Sequence, residues 1–323
     1  RCGIGALTMA DVKKIATRES YGRTLAQLGA EDDRIVVLDA DLAESTKTCV
    51  FQKAFPERHF DCGIAEANMV SIAAGLAASG MIPFVSSFAM FAAGRAYEQI
   101  RNSVGYPHLN VKICASHAGI SVGEDGATHQ CNEDIALMRN IPGMVVVNPA
   151  DDTEACLAVR AFAAYEGPAY MRLGRLAVPV INDPASYRFE LGRAVTLREG
   201  TDATIAATGL MVARALEAAE LLAAEGIQVR LLNVHTLKPI DEEALCAAAR
   251  ETGGIVTAEE HSVIGGLYSA VCEALLKNGA GCRVLPVAVM DEFGQSGPAE
   301  ELLTLYGLTA EHIAARVRQL LNR

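Results

Sequence analysis

The sequence lacks two features that would each assign the protein to a distinct class, namely long apolar runs and paired cysteines. No apolar run approaches the ~18 residues that a membrane-spanning helix needs, so we expect no membrane partner. The nine cysteines are scattered and form no CxxC pair. This pattern is typical of free, mostly buried thiols in a reducing compartment and disfavours a zinc site. We therefore expect a cytoplasmic protein that ligates no metal itself.

Positive charge is also scarce. The chain has 28 lysines and arginines against 39 aspartates and glutamates, which gives a net charge of −11. Binding to a nucleic-acid backbone needs clustered positive charge, so we expect no nucleic-acid partner. A few local basic residues could still hold a small phosphorylated metabolite.

The remaining composition is that of a folded protein of more than one domain. Hydrophobic residues make up 51% of the 323 residues and charged residues 21%, which excludes intrinsic disorder. Domains usually span about 100–200 residues, so two domains are expected. Residues 1–8 are set aside as a cloning or upstream remnant, because Met9 has the appearance of a natural start.

Short apolar runs alternate with alanine-rich helical stretches, a pattern that predicts α/β domains with parallel sheets covered on both faces. A stretch at 176–190 with two prolines and little periodicity is expected to be a linker between domains at 9–175 and 191–323. Strands are predicted at 34–39, 83–86, 111–115, 144–148, 203–207, 229–233, 254–259 and 283–288. Helices are predicted at 18–28, 68–79, 88–102, 154–165, 212–225, 242–250, 267–276 and 309–321.

A carboxylate and an aromatic pair stand out in the first domain. Glu66 lies where a loop enters an apolar helix. It is either a helix-start carboxylate stabilised by the helix dipole or a partly buried acid with a proton to exchange. Phe88 and Phe91 are three residues apart, which predicts both rings on one helix face. They are either core residues or a stacking platform for a planar heterocycle, and the platform gains weight because the chain has no tryptophan and few aromatics.

The stretch from residue 116 to 129 is predicted to be a long loop after a strand, where open α/β sheets bind ligands. It concentrates His117, Glu124, Asp125 and His129 among glycines. A polar surface loop seldom combines these residue types, so a ligand site is favoured. A zinc site is a further option that no ligand spacing supports, and the glycines form neither a Walker loop nor a dinucleotide fingerprint.

Two further groups could bind anions. Arg18 starts the first helix, Ser45 follows the first strand, and Arg172 ends a strand-like run. Each is ordinary alone, but together they could form an anion grip, because a guanidinium matches the oxygens of a phosphate. In the second domain, the acids and histidine at 259–261 precede Gly265 and could form a helix-start anion site. A structural role is favoured for His261.

Taken together, these segments resemble the C-terminal half of a transketolase, and the resemblance covers nearly the whole chain from Met9 onward. That half consists of a pyrimidine-binding domain, here 9–175, and a C-terminal domain, here 191–323. The motifs that carry the resemblance are Asp39-Ala40-Asp41-Leu42, Gly63-Ile64-Ala65-Glu66, Ser87-Phe88-Ala89-Met90-Phe91, the segment from Gly123 to Gln130, and Asp291-Glu292-Phe293-Gly294 with Ser296-Gly297.

The resemblance implies two-carbon ketol transfer between a ketose phosphate and an aldose phosphate (EC 2.2.1-type), with the pentose phosphates as the default substrates and thiamine diphosphate as the cofactor. Glu66 matches the catalytic glutamate, which hydrogen-bonds the cofactor's pyrimidine ring. The other implied roles are stacking on that ring for Phe88 and Phe91, approach to the thiazolium for Asp41, sugar binding and proton transfer for His117, Asp125 and His129, and phosphate binding for Arg18, Ser45, His117 and Arg172.

The chain departs from the family pattern in ways that bear on partners and chemistry. It shows no diphosphate domain, so a separate N-terminal subunit is expected to hold Mg²⁺ and the diphosphate, in an α2β2 heterotetramer paired through the pyrimidine domains. Gly94 stands where a further aromatic is common. The segment at 95–99 leans toward deoxyxylulose-phosphate synthase, although the loop around His117 has the transketolase form.

Two other classes remain open. The beta subunit of a 2-oxo-acid dehydrogenase shares the domain order but needs no phosphate grip. A non-catalytic assembly subunit would not need to keep Glu66 and the paired phenylalanines.

Overall fold

The computed structural model of the protein describes residues 12–322, so the expected remnant at 1–8 and the start at Met9 lie outside the described residues. In the first domain, strands and helices alternate along the chain. The strands are β1 (Lys14–Ala16), β2 (Ile35–Asp39), β3 (His59–Asp61), β4 (Ile82–Ser86), β5 (Lys112–Ala115), β6 (Val145–Val147), β7 (Ala169–Arg172) and β8 (Ala177–Pro179). The helices are α1 (Thr17–Glu31), α2 (Ala43–Thr46), α3 (Cys49–Ala54), α4 (Glu66–Ala78), α5 (Tyr97–Gln99), α6 (Asp134–Arg139) and α7 (Asp152–Ala164).

The second domain repeats this alternation. Its strands are β9 (Val195–Arg198), β10 (Ala203–Ala207), β11 (Val229–Asn233), β12 (Thr236–Lys238), β13 (Ile255–Ser262) and β14 (Val284–Val289). Its helices are α8 (Met211–Ala224), α9 (Glu242–Glu251), α10 (Leu267–Lys277), α11 (Ala299–Leu305) and α12 (Ala310–Leu321). None of the helices within residues 12–322 is both long enough and apolar enough to cross a bilayer.

Both main sheets are almost entirely parallel, which confirms the predicted α/β class. The first sheet has the order β12-β6-β7-β5-β4-β2-β3 and the second the order β14-β13-β10-β11-β9. Strand β2 shows that the first sheet is covered on both faces. All five of its residues are buried, and alternate side chains point to opposite faces. Val36 and Leu38 pack into one apolar core, while Ile35 and Val37 pack into another. Each face of the sheet therefore needs its own helical layer.

The sheet places the loops that matter for function. Strands β2, β4, β5 and β7 run parallel, so their carboxyl ends meet at one edge. The chain leaves this edge toward Asp41, Phe88, His117 and Arg175 in turn. This edge is where open α/β sheets bind ligands.

The segment after β4 differs from the single helix predicted at 88–102. Two π-helical turns, Met90–Arg95 and Ile100–Gly105, flank the short helix α5. A π turn accommodates one extra residue in a helical path, and such turns are frequent at functional sites. The alanine-rich sequence is compatible with either kind of turn, so its periodicity could not reveal this.

One strand crosses from the second domain to the first. Strand β12 lies antiparallel to β6, with Thr236 opposite Val147, and so closes the edge of the first sheet. The predicted linker also contributes structure, because β8 lies antiparallel to β1. The two domains are therefore joined by backbone hydrogen bonds as well as by side chains.

A buried polar cluster reinforces this joint. The Glu154 carboxylate in α7 accepts hydrogen bonds from the Ala150 N–H at 2.6 Å, from Asn233 Nδ2 of the second domain at 2.8 Å and from the Tyr187 hydroxyl. Glu154 is fully buried. Burial raises its pKa from 4.5 to about 7, although the hydrogen bonds from Tyr187 and Ala150 act in the opposite direction.

This raised pKa predicts a pH-dependent stability. Between pH 4.5 and about 7 the folded chain keeps a proton that the unfolded chain has lost. The free energy of unfolding should therefore fall as pH rises through this window, by at most about 1.4 kcal/mol per pH unit for this group. We expect Glu154→Gln to remove that part of the slope in urea unfolding of the chain at a series of pH values.

Asp152→Asn is the matched control, because Asp152 in the same helix contacts Ser20 and Arg23 of the first domain. It should keep the wild-type slope. An unchanged slope in Glu154→Gln would show that Glu154 does not titrate in this window.

Candidate active site

Glu66 begins helix α4 and is a buried acid at the functional edge. Its side chain is 1% exposed, and both carboxylate oxygens accept from one guanidinium nitrogen of Arg95, at 2.9 and 2.8 Å. About half of the Arg95 side chain is exposed, and its Cζ lies 4.7 Å from the centre of the Phe91 ring. A planar cation therefore lies against the aromatic ring while it donates to the buried carboxylate.

The aromatic platform is larger than the sequence predicted. The rings of Phe88 and Phe91 are 5.8 Å apart and nearly parallel, at 17°. The imidazole of His117 stacks on Phe88 at 3.8 Å, and the ring of His129 meets Phe91 edge-on at 5.4 Å. The structure thus brings both predicted phenylalanines and both loop histidines into one surface beside Glu66.

His117 is buried and held in an unusual backbone conformation, with φ of +57°. Its Nε2 lies 3.3 Å from a nitrogen of Arg18 and its Nδ1 lies 2.8 Å from Ser116 Oγ. Because arginine can only donate, Nε2 accepts and Nδ1 carries the hydrogen. Burial first, and then the positive charges of Arg18 and Arg175, lower the pKa of His117 to about 3. The imidazole is therefore neutral at physiological pH.

Two arginines converge near His117. Arg18 donates to the carbonyl of Ser45 at 2.8 Å. Arg175 donates to the carbonyl of Val122 and, at 3.0 Å, to the carboxylate of Glu124. Burial is the main cause that lowers the pKa of Arg18, and the nearby positive charge of Arg175 lowers it further. The positive charge of an anion grip would thus come from these two arginines, with His117 contributing none.

The assignment of Arg172 to this grip is wrong. Arg172 is 3% exposed, and its Nε donates to both oxygens of Asp134 at 3.1 and 3.0 Å. A second nitrogen donates to the carbonyls of Cys131 at 3.3 Å and Glu260 at 2.7 Å. Burial alone would lower the pKa of Arg172, but Asp134 and Glu260 raise it. Its guanidinium is therefore committed to the interior and cannot meet a ligand.

Arg175 is the residue that the sequence analysis missed. It lies three residues after Arg172, beyond the end of β7, where its side chain is 38% exposed. Arg172 is the last residue of the strand and points inward. The signal available in the sequence was the end of the apolar run at Leu173, after which an arginine is free to reach the loop edge.

The two predicted aspartates lie on exposed loops. Asp41 has φ of +60° and its N–H donates to Asp61 at 3.0 Å, while Asp125 lies on the outer part of the polar loop. Asp39 shapes the loop that carries Asp41 and Ser45. It is fully buried and accepts from Thr46 Oγ1 at 2.8 Å and Thr48 Oγ1 at 2.9 Å. Burial raises the pKa of Asp39.

The space in front of Gly94 is already filled. A Cβ at this position would lie 2.2 Å from the Met90 methyl carbon. The flexible thioether of Met90 therefore occupies the space beside Gly94. Within residues 12–322, no three His, Cys, Asp or Glu side chains are grouped as a metal ion would require.

The helix-start anion site suggested at 259–261 does not exist. The carboxylate of Glu259 itself accepts from the N–H groups of Leu267 at 2.6 Å and Tyr268 at 2.9 Å, at the start of α10. His261 is fully buried and its Nδ1 lies 2.7 Å from the carbonyl of Ser262. The structural interpretation of His261 holds, because an internal carboxylate occupies the position that an anion would take.

Comparison with known proteins agrees with this architecture. Residues 13–180 match the transketolase pyrimidine-binding domain and residues 192–313 the transketolase C-terminal domain. A protein of Methanocaldococcus jannaschii named a transketolase C-terminal section is 50% identical over 94% of this chain and 95% of its own length. A 6-deoxy-6-sulfo-D-fructose transketolase subunit of Clostridium sp. (strain MSTE9) is 47% identical over 95% and 94% of the two chains.

A solved structure described as a split-gene transketolase, an inactive β4 tetramer, is 53% identical. It covers 96% of this chain and 99% of its own, with a TM-score of 0.87. The matched domains, the full-length coverage of split relatives and the shared fold lead to one conclusion. The chain belongs to the transketolase family, as a split C-terminal section with a pyrimidine-binding domain followed by a transketolase C-terminal domain.

Proposed function

We propose that the chain is the C-terminal subunit of a two-chain transketolase that moves a two-carbon ketol unit from a ketose phosphate to an aldose phosphate. The observation that carries this proposal is the pairing of the buried Glu66 carboxylate with the planar Arg95 guanidinium against Phe91. The family depends on thiamine diphosphate. An aminopyrimidine ring is planar like that guanidinium, and its ring nitrogen can form a hydrogen bond with a carboxyl group when one proton lies between the two.

The residues present therefore fit the cofactor. Glu66 would hold a pyrimidine nitrogen through its carboxylate, and Phe88 and Phe91 would cover the ring. When bound, thiamine diphosphate supplies the carbon nucleophile that cleaves and rejoins the sugar. Asp41 is proposed to approach the thiazolium side.

On the substrate side of the site, we propose one role for the arginines and another for the residues of the polar loop. Arg18 and Arg175 would bind the terminal phosphate, with Ser45 beside them. His117, Asp125 and His129 would hold the sugar hydroxyls and move protons. Because His117 is neutral, it can accept or donate a hydrogen bond at physiological pH without adding charge.

The diphosphate and its Mg²⁺ are proposed to lie on a separate N-terminal subunit, in a cytoplasmic α2β2 assembly. Relatives of matching length are named as a section and a subunit, which supports this. Exposed apolar side chains also lie before and within α4, with Phe60 at 42%, Ile64 at 77% and Ile72 at 40% exposure. Such a patch is typical of a surface that another chain covers.

A sulfonated donor is a second candidate for the sugar. The relative from Clostridium is named for 6-deoxy-6-sulfo-D-fructose. A pair of arginines can bind a sulfonate as well as a phosphate, since both present several anionic oxygens to the guanidinium donors. By contrast, the same pair disfavours a 2-oxo-acid dehydrogenase, whose substrates carry no such terminal group.

A two-chain assay tests the proposed function. This chain, co-expressed with a candidate N-terminal transketolase subunit, should transfer the ketol unit from xylulose 5-phosphate to ribose 5-phosphate when thiamine diphosphate and Mg²⁺ are added. Parallel reactions use 6-deoxy-6-sulfofructose or pyruvate as donor. We expect Glu66→Gln to lower kcat by about 10³-fold, since it removes a proton-exchanging carboxylate.

Turnover by either chain alone would contradict the shared active site. A Glu66→Gln complex that works at the wild-type rate would contradict the role of Glu66. Turnover with pyruvate only would favour deoxyxylulose-phosphate synthase activity.

A second prediction concerns Arg95. Arg95→Met leaves the Glu66 carboxylate buried without its partner. The free energy of unfolding should fall by about 2 kcal/mol, between the values for an exposed and a buried pair, because Glu66 is buried but half of the Arg95 side chain is exposed. The deficit should shrink in the assembled complex loaded with thiamine diphosphate. Thermal unfolding of the free chain and of the complex measures both effects.

Arg101→Met provides the control, since Arg101 lies on the same helical segment and donates to its neighbour Asn102. It should leave both melting temperatures unchanged. Equal melting temperatures for Arg95→Met and the wild type would contradict the prediction.

The two arginines near the end of β7 should behave differently. Arg175→Met should raise KM for phosphorylated substrates about tenfold to a hundredfold, the loss of one charged hydrogen-bonding partner, with little change in stability. Arg172→Met should destabilise the fold by about 3–5 kcal/mol, because it leaves Asp134 charged and buried. Steady-state kinetics and urea unfolding of both variants separate the two roles. A raised KM with normal stability in Arg172→Met would restore the original assignment.

A further inference from the structure

The polar loop between β5 and α6 (residues 117–130) is held in a demanding conformation. His117 has φ of +57°, and Gly119, Gly123 and Gly126 have φ of +82°, +87° and +73°. A non-glycine residue in the left-handed region persists only where its surroundings fix it. The loop also carries Asp125 and His129, so whatever fixes its backbone also sets the geometry of the candidate active site.

The second domain supplies a contact that fixes the backbone of this loop. Glu260 in β13 is 3% exposed, and its Oε1 accepts the backbone N–H of Ser121, inside the loop. The same carboxylate packs on the loop backbone at Gly119, where an added Cβ would lie 2.4 Å from Glu260 Cδ. One carboxyl group of the second domain therefore holds the loop backbone at two points, by a hydrogen bond at Ser121 and by packing at Gly119.

Glu260 is itself fixed in place. Its carbonyl accepts from Arg172 at 2.7 Å, and Arg172 pairs with Asp134, the first residue of α6. The chain enters α6 directly after the loop. Contacts therefore run from the loop through Glu260 and Arg172 to helix α6, which follows the loop in the chain.

A second contact supports the same side of the loop. Gln130 Nε2 donates to the carbonyl of Gln295 in the second domain at 3.0 Å and to the carbonyl of Ile120 within the loop at 3.1 Å. The outer turn also lies against the second domain, since a Cβ at Gly126 would be 2.4 Å from Ser296 Oγ.

We propose that Glu260 is a positioning residue for the active site, which acts by clamping the 117–130 loop from the second domain. The inference rests on the proposed function, because it assigns Glu260 a part in substrate turnover. It gives the second domain a part in shaping the active site. It separates Glu260 from the neighbouring Glu259, which bonds the start of α10 and makes no hydrogen bond to the loop among residues 12–322.

Hydrogen exchange of the full chain tests the clamp without any assay of activity. We expect Glu260→Ala to speed exchange across residues 117–130. Glu260→Gln should protect the loop nearly as well as the wild type, because the amide oxygen can still accept from Ser121. Glu259→Ala is the matched control, equally buried, and should speed exchange at the start of α10 alone.

Kinetics of the assembled two-chain complex give the second measurement. Glu260→Ala should lower kcat/KM by about a hundredfold, the cost of misplacing site groups by about 1 Å. Glu260→Gln should recover most of this loss, and Glu259→Ala should keep kcat/KM near the wild-type value. Unchanged exchange at 117–130 in Glu260→Ala would overturn the proposal. The proposal would also be overturned if Glu259→Ala lowered kcat/KM as much as Glu260→Ala does.

The two measurements also separate this inference from the proposed function. If the wild-type complex transfers no ketol unit from any donor, the proposed function fails, while the exchange experiment still decides whether Glu260 holds the loop.

Discussion

The buried ion pair between Arg172 and Asp134 is the interaction on which the rest of the site depends. It joins the end of β7 to the start of α6, and through the Glu260 carbonyl it also reaches β13 of the second domain. Removing two charges from water costs several kcal/mol per ion, so such a pair is weak evidence for stability. Its value here is geometric, since it fixes the strand end, the helix start and the second domain relative to one another. The loop that carries His117, Asp125 and His129 leads into α6 and is therefore attached to this frame.

Much of the frame could be predicted from the sequence. The apolar run before Asp39 can only form a strand buried on both faces, and Glu66 stands at the boundary between a polar loop and an apolar helix. Phe88, Phe91 and the two loop histidines were singled out because their residue types are rare in this chain. All four do come together, since the parallel sheet brings the ends of β4 and β5 to one edge.

The parts that could not be predicted depend on contacts between distant segments. The sequence shows only that Arg172 lies within an apolar run and Arg175 beyond it. The contacts that hold Arg172 in the interior, with Asp134 and Glu260, come from distant segments. The same is true of His117, whose neutrality follows from burial and two nearby cations. The π turns after Ala89 also escaped prediction, because alanine and glycine fit both kinds of helical turn.

The pairing of strand β12 with the first sheet limits where the chain can be divided. A chain cut within 176–190 would separate β6 from the strand that covers it and expose an open sheet edge, which promotes aggregation. It would also leave the Glu154 carboxylate without the hydrogen bond from Asn233. The linker is therefore a poor place to divide the chain, whereas a domain boundary that no strand crosses can be divided without opening a sheet.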